Sequence, residues 1–163
     1  MAQTNILGQE VQASELRLKN PAWGKVGEDG SIEVFWAKPD DKVDRDGFDK
    51  SYKGTHGYYD EIELPVGTVL GRFGSQQGRL TAPQGTPYEK LGMPYERDTI
   101  EYHEYVVVAN GCFVKRGLVS PMFDSPGGGF QYLHGQSIEA EIESGYLEED
   151  YKWKIDLQQR EQG

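Results

Sequence analysis

The sequence contains very little cysteine and no long hydrophobic run. Cys112 is the single cysteine among 163 residues, so the chain cannot form an internal disulfide. We expect its thiol to be a small buried apolar group in a strand, the usual environment of a free cysteine. Residues 1–20 contain no apolar segment long enough for a signal peptide or a membrane span. If the domain leaves its cell, we therefore expect a larger protein or a dedicated machine to carry it.

Positive charge is also scarce. The chain has 17 Lys and Arg residues against 27 Asp and Glu residues, a formal net charge of -10. This balance argues against a protein that binds nucleic acid, because affinity for a phosphate backbone comes mostly from Lys and Arg. A small anionic ligand needs only one local basic pocket and is not excluded. A protein partner with basic groups would also suit such an acidic surface.

The length fits one domain with a sizeable core, although the first third of the chain gives few regular signals. Residues 1–20 have a loosely helical apolar spacing, and Pro21 would end that helix. Residues 30–40, GSIEVFWAKPD, predict a strand or another short element. Residues 40–57 are polar and rich in glycine, which predicts a mobile loop. Its aspartates lack the ligand order of an EF-hand, so we interpret them as a solvated charge run rather than a calcium site: Asp40, Asp41, Asp44, Asp46 and Asp49.

From residue 58 onward, strand patterns dominate. Residues 58–74 predict two strands separated by a turn at residues 65–67. The segment IEYHEYVVV predicts a strong strand, and CFVKRGLVS is interpreted as its hairpin neighbour across residues 109–111. GGGFQYLHG predicts a short strand. These patterns are typical of an α+β domain with a mostly antiparallel sheet and few helices.

One helix is predicted near the C-terminus, in SIEAEIESGYL. Ser137 has the residue type of an N-cap, Ile138 and Ile142 lie one turn apart, and Gly145 suits the position after the helix. The segment after it, EEDYKWKIDLQQREQG, is either an edge strand or a frayed tail.

The three histidines do not have the spacing of a metal site such as H-E-x-x-H, so we predict that no metal is bound. His103 alternates with apolar positions of its strand and is interpreted as a hydrogen-bonded structural residue. His56 and His134 are expected in loops. No Ser/His/Asp arrangement or nucleophile elbow is present.

Four motifs, in this order, resemble one protein family: LPVGTVLGRFGSQQGRLTAPQGTPYE, YHEYVVV, SPMFDSPGGGFQY and SIEAEIESGYLEE. The chain is similar to the tuberculosis necrotizing toxin domains, the NAD glycohydrolase toxins. The resemblance covers residues 58–150, which we take as the core of the domain. Residues 1–57 are expected to be a helical and loop extension of the same domain, and residues 151–163 a tail. The resemblance also implies a compact α+β fold related to toxins that transfer ADP-ribose.

The resemblance implies hydrolysis of the nicotinamide–ribose bond of NAD or NADP. The products would be nicotinamide and ADP-ribose, and the target cell would lose its cofactor pool. NAD or NADP would be the substrate, and no other cofactor is expected. The resemblance further implies a cognate immunity protein. We expect a monomer or one part of a larger carrier polypeptide that is secreted or delivered into the target-cell cytoplasm.

By the same resemblance, Arg72 and Gln131 are the catalytic residues. Nicotinamide is positively charged in NAD and leaves neutral, so the reaction does not need a carboxylic acid to protonate it, unlike most glycoside hydrolysis. Arg72 could hold the pyrophosphate through its planar guanidinium, and Gln131 could orient the ribose or the attacking water. The predicted substrate-binding residues surround these two: Phe73, Gly74, Ser75, Gly78, Arg79, Tyr88, Lys90, Gly129 and Phe130.

Other interpretations are open. Leu80 and Leu91 depart from the family pattern, which has an aromatic residue and an arginine there. These departures keep open a third alternative, a nucleotide-binding or protein-interaction module that keeps the pocket but has lost turnover. A mono-ADP-ribosyltransferase is a further alternative, with an acceptor oriented by Glu89, Glu101 or Glu104. Without the resemblance, Arg72 would be interpreted as a surface salt-bridge residue and the triple glycine as a flexible turn.

Overall fold

The computed structural model describes residues 16–36 and 38–151, and it confirms the predicted fold class. The described part contains one α-helix and three short 3-10 turns, Pro21–Trp23, Tyr88–Lys90 and Arg97–Thr99. The helix and the strands are, in chain order: β1 Gly24–Val26, β2 Ile32–Val34, β3 Asp60–Glu63, β4 Val69–Phe73, β5 Leu80–Pro83, β6 Tyr102–Val107, β7 Phe113–Leu118, β8 Phe130–His134, α1 Ile138–Glu143 and β9 Leu147–Asp150. Seven antiparallel strands form one sheet in the order β3-β7-β8-β5-β4-β6-β9, beside a separate two-stranded hairpin, β1-β2.

The N-terminal part is attached to the sheet domain along residues 94–99. The helix predicted for residues 1–20 falls mostly outside the described residues, and its described end is not helical. Instead, Leu18 forms an isolated bridge with Tyr95, and the backbone N–H of Lys19 donates to the carbonyl of Pro94 at 2.9 Å. The strand predicted within residues 30–40 is confirmed as β2.

The predicted loop at residues 40–57 contains no helix or regular strand, but one residue anchors it in the core. Phe48 is only 1% exposed, and it packs against Gly117, where an added Cβ would lie 2.6 Å from the Phe48 ring. The aspartates organise the loop locally, because Asp44 Oδ1 accepts the N–H groups of Asp46 and Phe48.

The predicted hairpin between β6 and β7 is wrong. β6 pairs with β4 and β9, whereas β7 pairs with β3 and β8. Both strands nevertheless contribute to a single core cluster, through Tyr105 and Val107 of β6 and Val114 of β7. The short connection therefore carries the chain from one half of the sheet to the other across the core. A turn sequence alone does not distinguish this crossing from a hairpin.

The C-terminal elements follow the sequence signals. Ser137 caps α1 by accepting the N–H of Ala140, Gly145 adopts the positive φ of 86° expected after a helix, and Ile138 is fully buried. β9 is an edge strand paired with β6, which decides between the two interpretations of residues 147–150. Residues 152–163 of the predicted tail lie outside the described residues. Within the described ranges, no helix has the length and apolar character needed to cross a membrane.

Candidate functional site

A cleft of about 540 Å³ lies over β4, β5 and the loop between them. Seven of the eleven predicted site residues line it: Arg72, Phe73, Gly74, Ser75, Gly78, Arg79 and Gln131. The first six lie on β4 and the following loop, whereas Gln131 lies on β8, next to β5 in the sheet. The fold thus brings the two predicted catalytic residues, which are 59 positions apart along the chain, to one cavity.

Arg72 holds the glycine-rich loop in place. Its Nε donates to the carbonyl of Ser75 at 2.7 Å, and its Nη1 donates to the carbonyl of Leu80 at 2.8 Å. The guanidinium lies directly over Gly78, where an added Cβ would be 2.0 Å from Nη2. Burial lowers the pKa of Arg72, but nearby Tyr105 and Glu101 oppose that shift, and an arginine remains charged in a protein. Arg72 is therefore a partly desolvated cation at the cleft wall, with two of its five N–H donors used by the loop.

Gln131 is buried at the base of the site, with 6% of its surface exposed. Its Nε2 donates to the carbonyl of Asp46 at 3.2 Å, which fixes the amide relative to the 40–57 loop. Successive strand residues face opposite sides of a sheet, so Phe130 turns away from Gln131. The Phe130 ring instead contacts the Arg116 guanidinium, 4.0 Å from the ring centroid.

Four predicted substrate-binding residues do not line the cleft: Tyr88, Lys90, Gly129 and Phe130. Tyr88 lies behind the site, where its ring packs on Phe73 with a centroid distance of 4.7 Å and its hydroxyl donates to the carbonyl of Tyr95. Gly129 donates its N–H to the carbonyl of Lys90 at 3.2 Å. Tyr88 thus supports the cleft wall through Phe73, whereas Lys90 and Gly129 bond to each other outside the lining.

A chain of ionisable groups beside Arg72 was not predicted. Glu101 lines the cleft, and its Oε1 lies 3.2 Å from Nε2 of His103. The other ring nitrogen, Nδ1, lies 2.7 Å from Oε2 of Glu149 on the edge strand β9. His103 is buried and hydrogen-bonded, as its alternation in the strand indicated, but sequence spacing could not show that it joins two glutamates.

The environment of His103 makes stability depend on pH. Burial alone would lower the pKa of His103, but the hydrogen bonds to Glu101 and Glu149 outweigh burial and raise the pKa above its ordinary value of 6.5. A raised folded-state pKa contributes stability that is complete below the unfolded-state pKa and is lost as the pH rises through the folded-state pKa.

We therefore expect the wild-type protein to exceed His103→Asn in free energy of unfolding by the largest amount at about pH 6. This difference should shrink as the pH rises through the folded-state pKa of His103. Urea unfolding of both proteins across this pH range measures the effect. If the difference in free energy of unfolding stays constant or grows with pH, the two carboxylates do not stabilise a protonated His103.

His134 is not a loop residue, in contrast to the prediction. It ends β8, is fully buried, and places Nε2 2.8 Å from the Thr81 hydroxyl and Nδ1 3.1 Å from Oε2 of Glu141. The Cys112 thiol donates to the same Glu141 oxygen at 3.4 Å, and burial together with Glu141 raises the pKa of this thiol to about 12. In the described part of the chain, Cys112, His134 and Glu141 form the one group close enough to hold a metal. The hydrogen bonds that they make with one another fasten α1 to the sheet.

The remaining cleft wall is largely apolar. Leu80 and Leu91, the two positions that depart from the family pattern, both line it, together with Met93, Tyr95 and Ile100. Leu16 and Trp36 contribute from the N-terminal part, in which no sequence pattern indicated a function. Leu16 lies near the bridge between Leu18 and Tyr95, and Trp36 contacts Phe123; these are long-range contacts that local patterns do not reveal.

Comparison with known proteins identifies the family of this domain. The tuberculosis necrotizing toxin family matches residues 63–149, just over half of the chain. Among solved structures, tuberculosis necrotizing toxin in complex with its immunity factor is similar over 77% of this chain and 66% of its own, with 21% identity and a TM-score of 0.51. The present chain thus spans slightly less than two thirds of that protein.

Two other solved structures show weaker similarity. Rhs1-CT in complex with its cognate immunity protein RhsI1 has 17% identity and a TM-score of 0.43, over 56% of this chain and 76% of its own. Tse6 in complex with Tsi6 has 22% identity and a TM-score of 0.37, over 56% of this chain and 71% of its own. No curated protein has a detectably similar sequence. The family match, together with a fold shared with the toxin itself, places this chain in the tuberculosis necrotizing toxin family.

Proposed function

We propose that this domain hydrolyses the nicotinamide–ribose bond of NAD or NADP and acts as a toxin by depleting the cofactor. The observation that supports this most is the shared cleft of Arg72, the 74–78 loop and Gln131. Its volume of about 540 Å³ lies within the range of ordinary small-molecule sites. A dinucleotide offers two negative charges at its pyrophosphate, and Arg72 supplies a partly desolvated cation to meet them.

The reaction needs few protein groups. The oxygen of water bonds to the anomeric carbon of the ribose, the bond to nicotinamide breaks, and its electron pair neutralises the departing ring. The added water releases one proton to solvent. We assign Arg72 to pyrophosphate binding through the N–H groups that the loop does not use. We assign Gln131 to the ribose or the attacking water, since its amide offers both donors and an acceptor. Glu101 lies in the same cleft, where its carboxylate can stabilise positive charge that develops on the ribose.

Glu101 also favours a second candidate function. A mono-ADP-ribosyltransferase needs a group that orients the acceptor, and Glu101 is the one predicted candidate that lines the cleft, unlike Glu89 and Glu104.

Incubating the purified domain with NAD or NADP, first alone and then with a cell lysate, distinguishes the hydrolase from the transferase. Release of nicotinamide and free ADP-ribose without any acceptor supports the hydrolase. Labelling of lysate proteins from radioactive NAD without free ADP-ribose would support the transferase. Binding without turnover would leave an inactive module.

We expect nicotinamide release to be unaffected by EDTA. Among the described residues that line the cleft, no cluster is suited to a metal, and the Cys112, His134 and Glu141 group is occupied by its own hydrogen bonds. Initial rates and the melting temperature before and after chelation measure this. Loss of activity that a single divalent ion restores would overturn a metal-free mechanism.

We also propose a cognate immunity protein that blocks the cleft, by analogy with the complex of tuberculosis necrotizing toxin and its immunity factor. A carrier or secretion machine would then deliver the free toxin into a target cell.

The chain has a net charge of -10, so basic groups on the immunity protein would attract it and speed association. We expect a tight complex that stops NAD turnover, with an association rate that falls as salt is added. Stopped-flow binding at several salt concentrations tests the rate, and a bound partner that leaves turnover intact would contradict cleft blocking.

A further inference from the structure

One wall of the cleft comes from a part of the chain outside the family match. The match begins at residue 63, yet Leu16 and Trp36 line the cavity. The segment that carries them is fastened in place, because Glu96 donates its backbone N–H to the carbonyl of Arg17 at 2.8 Å. The N–H of Arg17 in turn donates to the Thr99 hydroxyl at 3.1 Å. Residues 16–36 therefore form part of the site.

Trp36 is unusual within this wall because it is a large apolar residue with 58% of its surface exposed. It lies two residues after the end of β2, and its ring lies against Phe123 in an edge contact with a centroid distance of 5.5 Å. Phe123 also contacts Trp23 at 5.3 Å, and Lys19 Nζ lies 3.4 Å from the Phe123 carbonyl. The Trp36 ring is thus supported from the side while much of it stays accessible beside the cleft.

Among the other aromatic residues of the cleft, Phe73 is already packed against neighbouring side chains. Phe73 packs between Tyr88 and Tyr102, with centroid distances of 4.7 and 4.8 Å. The Arg97 guanidinium lies 4.6 Å from the same ring. A ligand would have to displace one of these groups to stack on Phe73, whereas the Trp36 ring needs no rearrangement.

We propose that Trp36 is a substrate-binding residue that stacks on a heteroaromatic base of the nucleotide in the cleft; this inference rests on the proposed function. Both ends of NAD suit an indole ring. Adenine offers a flat π surface for stacking, and nicotinamide adds a positive charge that an indole face attracts. The N-terminal extension then contributes directly to substrate affinity.

The test compares Trp36→Ala with Phe35→Ala, since Phe35 is the adjacent aromatic residue, is 55% exposed and does not line the cleft. We expect Trp36→Ala to raise KM for NAD about tenfold with little change in kcat, because base–aromatic stacking has about that effect on affinity. Trp36→Phe should recover much of this affinity, and Phe35→Ala should behave like the wild-type protein. Circular dichroism verifies that each variant is folded.

Binding of two probes by calorimetry identifies the ring and separates this inference from the proposed function. ADP-ribose carries only adenine, and nicotinamide mononucleotide carries only nicotinamide. A Kd for either probe that rises about tenfold in Trp36→Ala supports stacking on the corresponding base, even if the wild-type protein cleaves no NAD. A wild-type protein that cleaves NAD while Trp36→Ala keeps normal KM and normal Kd for both probes overturns the inference and leaves the function standing. A wild-type protein that binds neither probe nor NAD overturns both.

Discussion

Arg72→Ala and Gly78→Ala are each expected to lower kcat/KM for NAD by about a hundredfold or more while the domain remains folded. Removing the Arg72 side chain deletes the cation of the cleft and releases the 75–80 loop that it holds. A methyl group at residue 78 would lie 2.0 Å from Nη2 and 2.6 Å from Cζ of Arg72. The guanidinium is the end of a flexible side chain, so it can move away at little cost to stability, but it then leaves its working position.

Gly135→Ala is the matched control for the glycine substitution. A Cβ at residue 135 would meet nothing within 4 Å, and the backbone there has no positive φ. Steady-state rates of nicotinamide release, with circular dichroism for folding, measure the effects. If the Arg72→Ala and Gly78→Ala substitutions both act through the same guanidinium, the double variant should lose little more activity than Arg72→Ala alone. Near-normal turnover in a folded Arg72→Ala protein would remove Arg72 from the site.

Gln131→Ala is expected to lower kcat about a hundredfold and to change KM by less than about threefold. Gln131 is buried at the base of the cleft, and its amide nitrogen is fixed by the carbonyl of Asp46. A fixed polar group of this kind stabilises the transition state more than the bound substrate, so its loss appears in kcat.

Gln84→Ala is a suitable control for Gln131→Ala, because Gln84 is an exposed glutamine that bonds Glu104 at 3.2 Å and does not line the cleft. We expect its kinetics to match those of the wild-type protein. Steady-state kinetics on both variants distinguish the roles. A raised KM with unchanged kcat would make Gln131 a binding contact. The water or ribose would then need another partner, for which Glu101 is a candidate because it lines the same cleft.

The strand and helix assignments that depend on local chemistry could be predicted from the sequence. The cap at Ser137 and the positive φ at Gly145 mark both ends of α1, because these residue types satisfy or relax a helix end without help from other elements. The tyrosines and valines of IEYHEYVVV predicted β6 for the same reason, since aromatic and β-branched residues favour strands. The location of Arg72 and Gln131 in one cleft followed from the resemblance of whole motifs to a known family.

Pairing and long-range contacts could not be predicted from local patterns. The turn after β6 has the composition of a hairpin, but the chain crosses the core there, because burying Tyr105, Val107 and Val114 together requires the two halves of the sheet to share one interior. The position of His134 has a similar cause: its burial depends on Thr81 and Glu141, which lie 53 and 7 residues away.

By itself, the sequence determined the fold class, most of the strands, the helix and the seven cleft residues that its family motifs contain, since these depend on local propensity and on motifs of fixed spacing. Only the tertiary structure decided which groups surround Arg72. It placed Tyr88, Lys90, Gly129 and Phe130 outside the cleft and brought in Glu101. It also brought Trp36 from the N-terminal extension into the wall. The physical reason is that strand order and the bridge between Leu18 and Tyr95 arise from burial shared by distant segments, and no single segment encodes them.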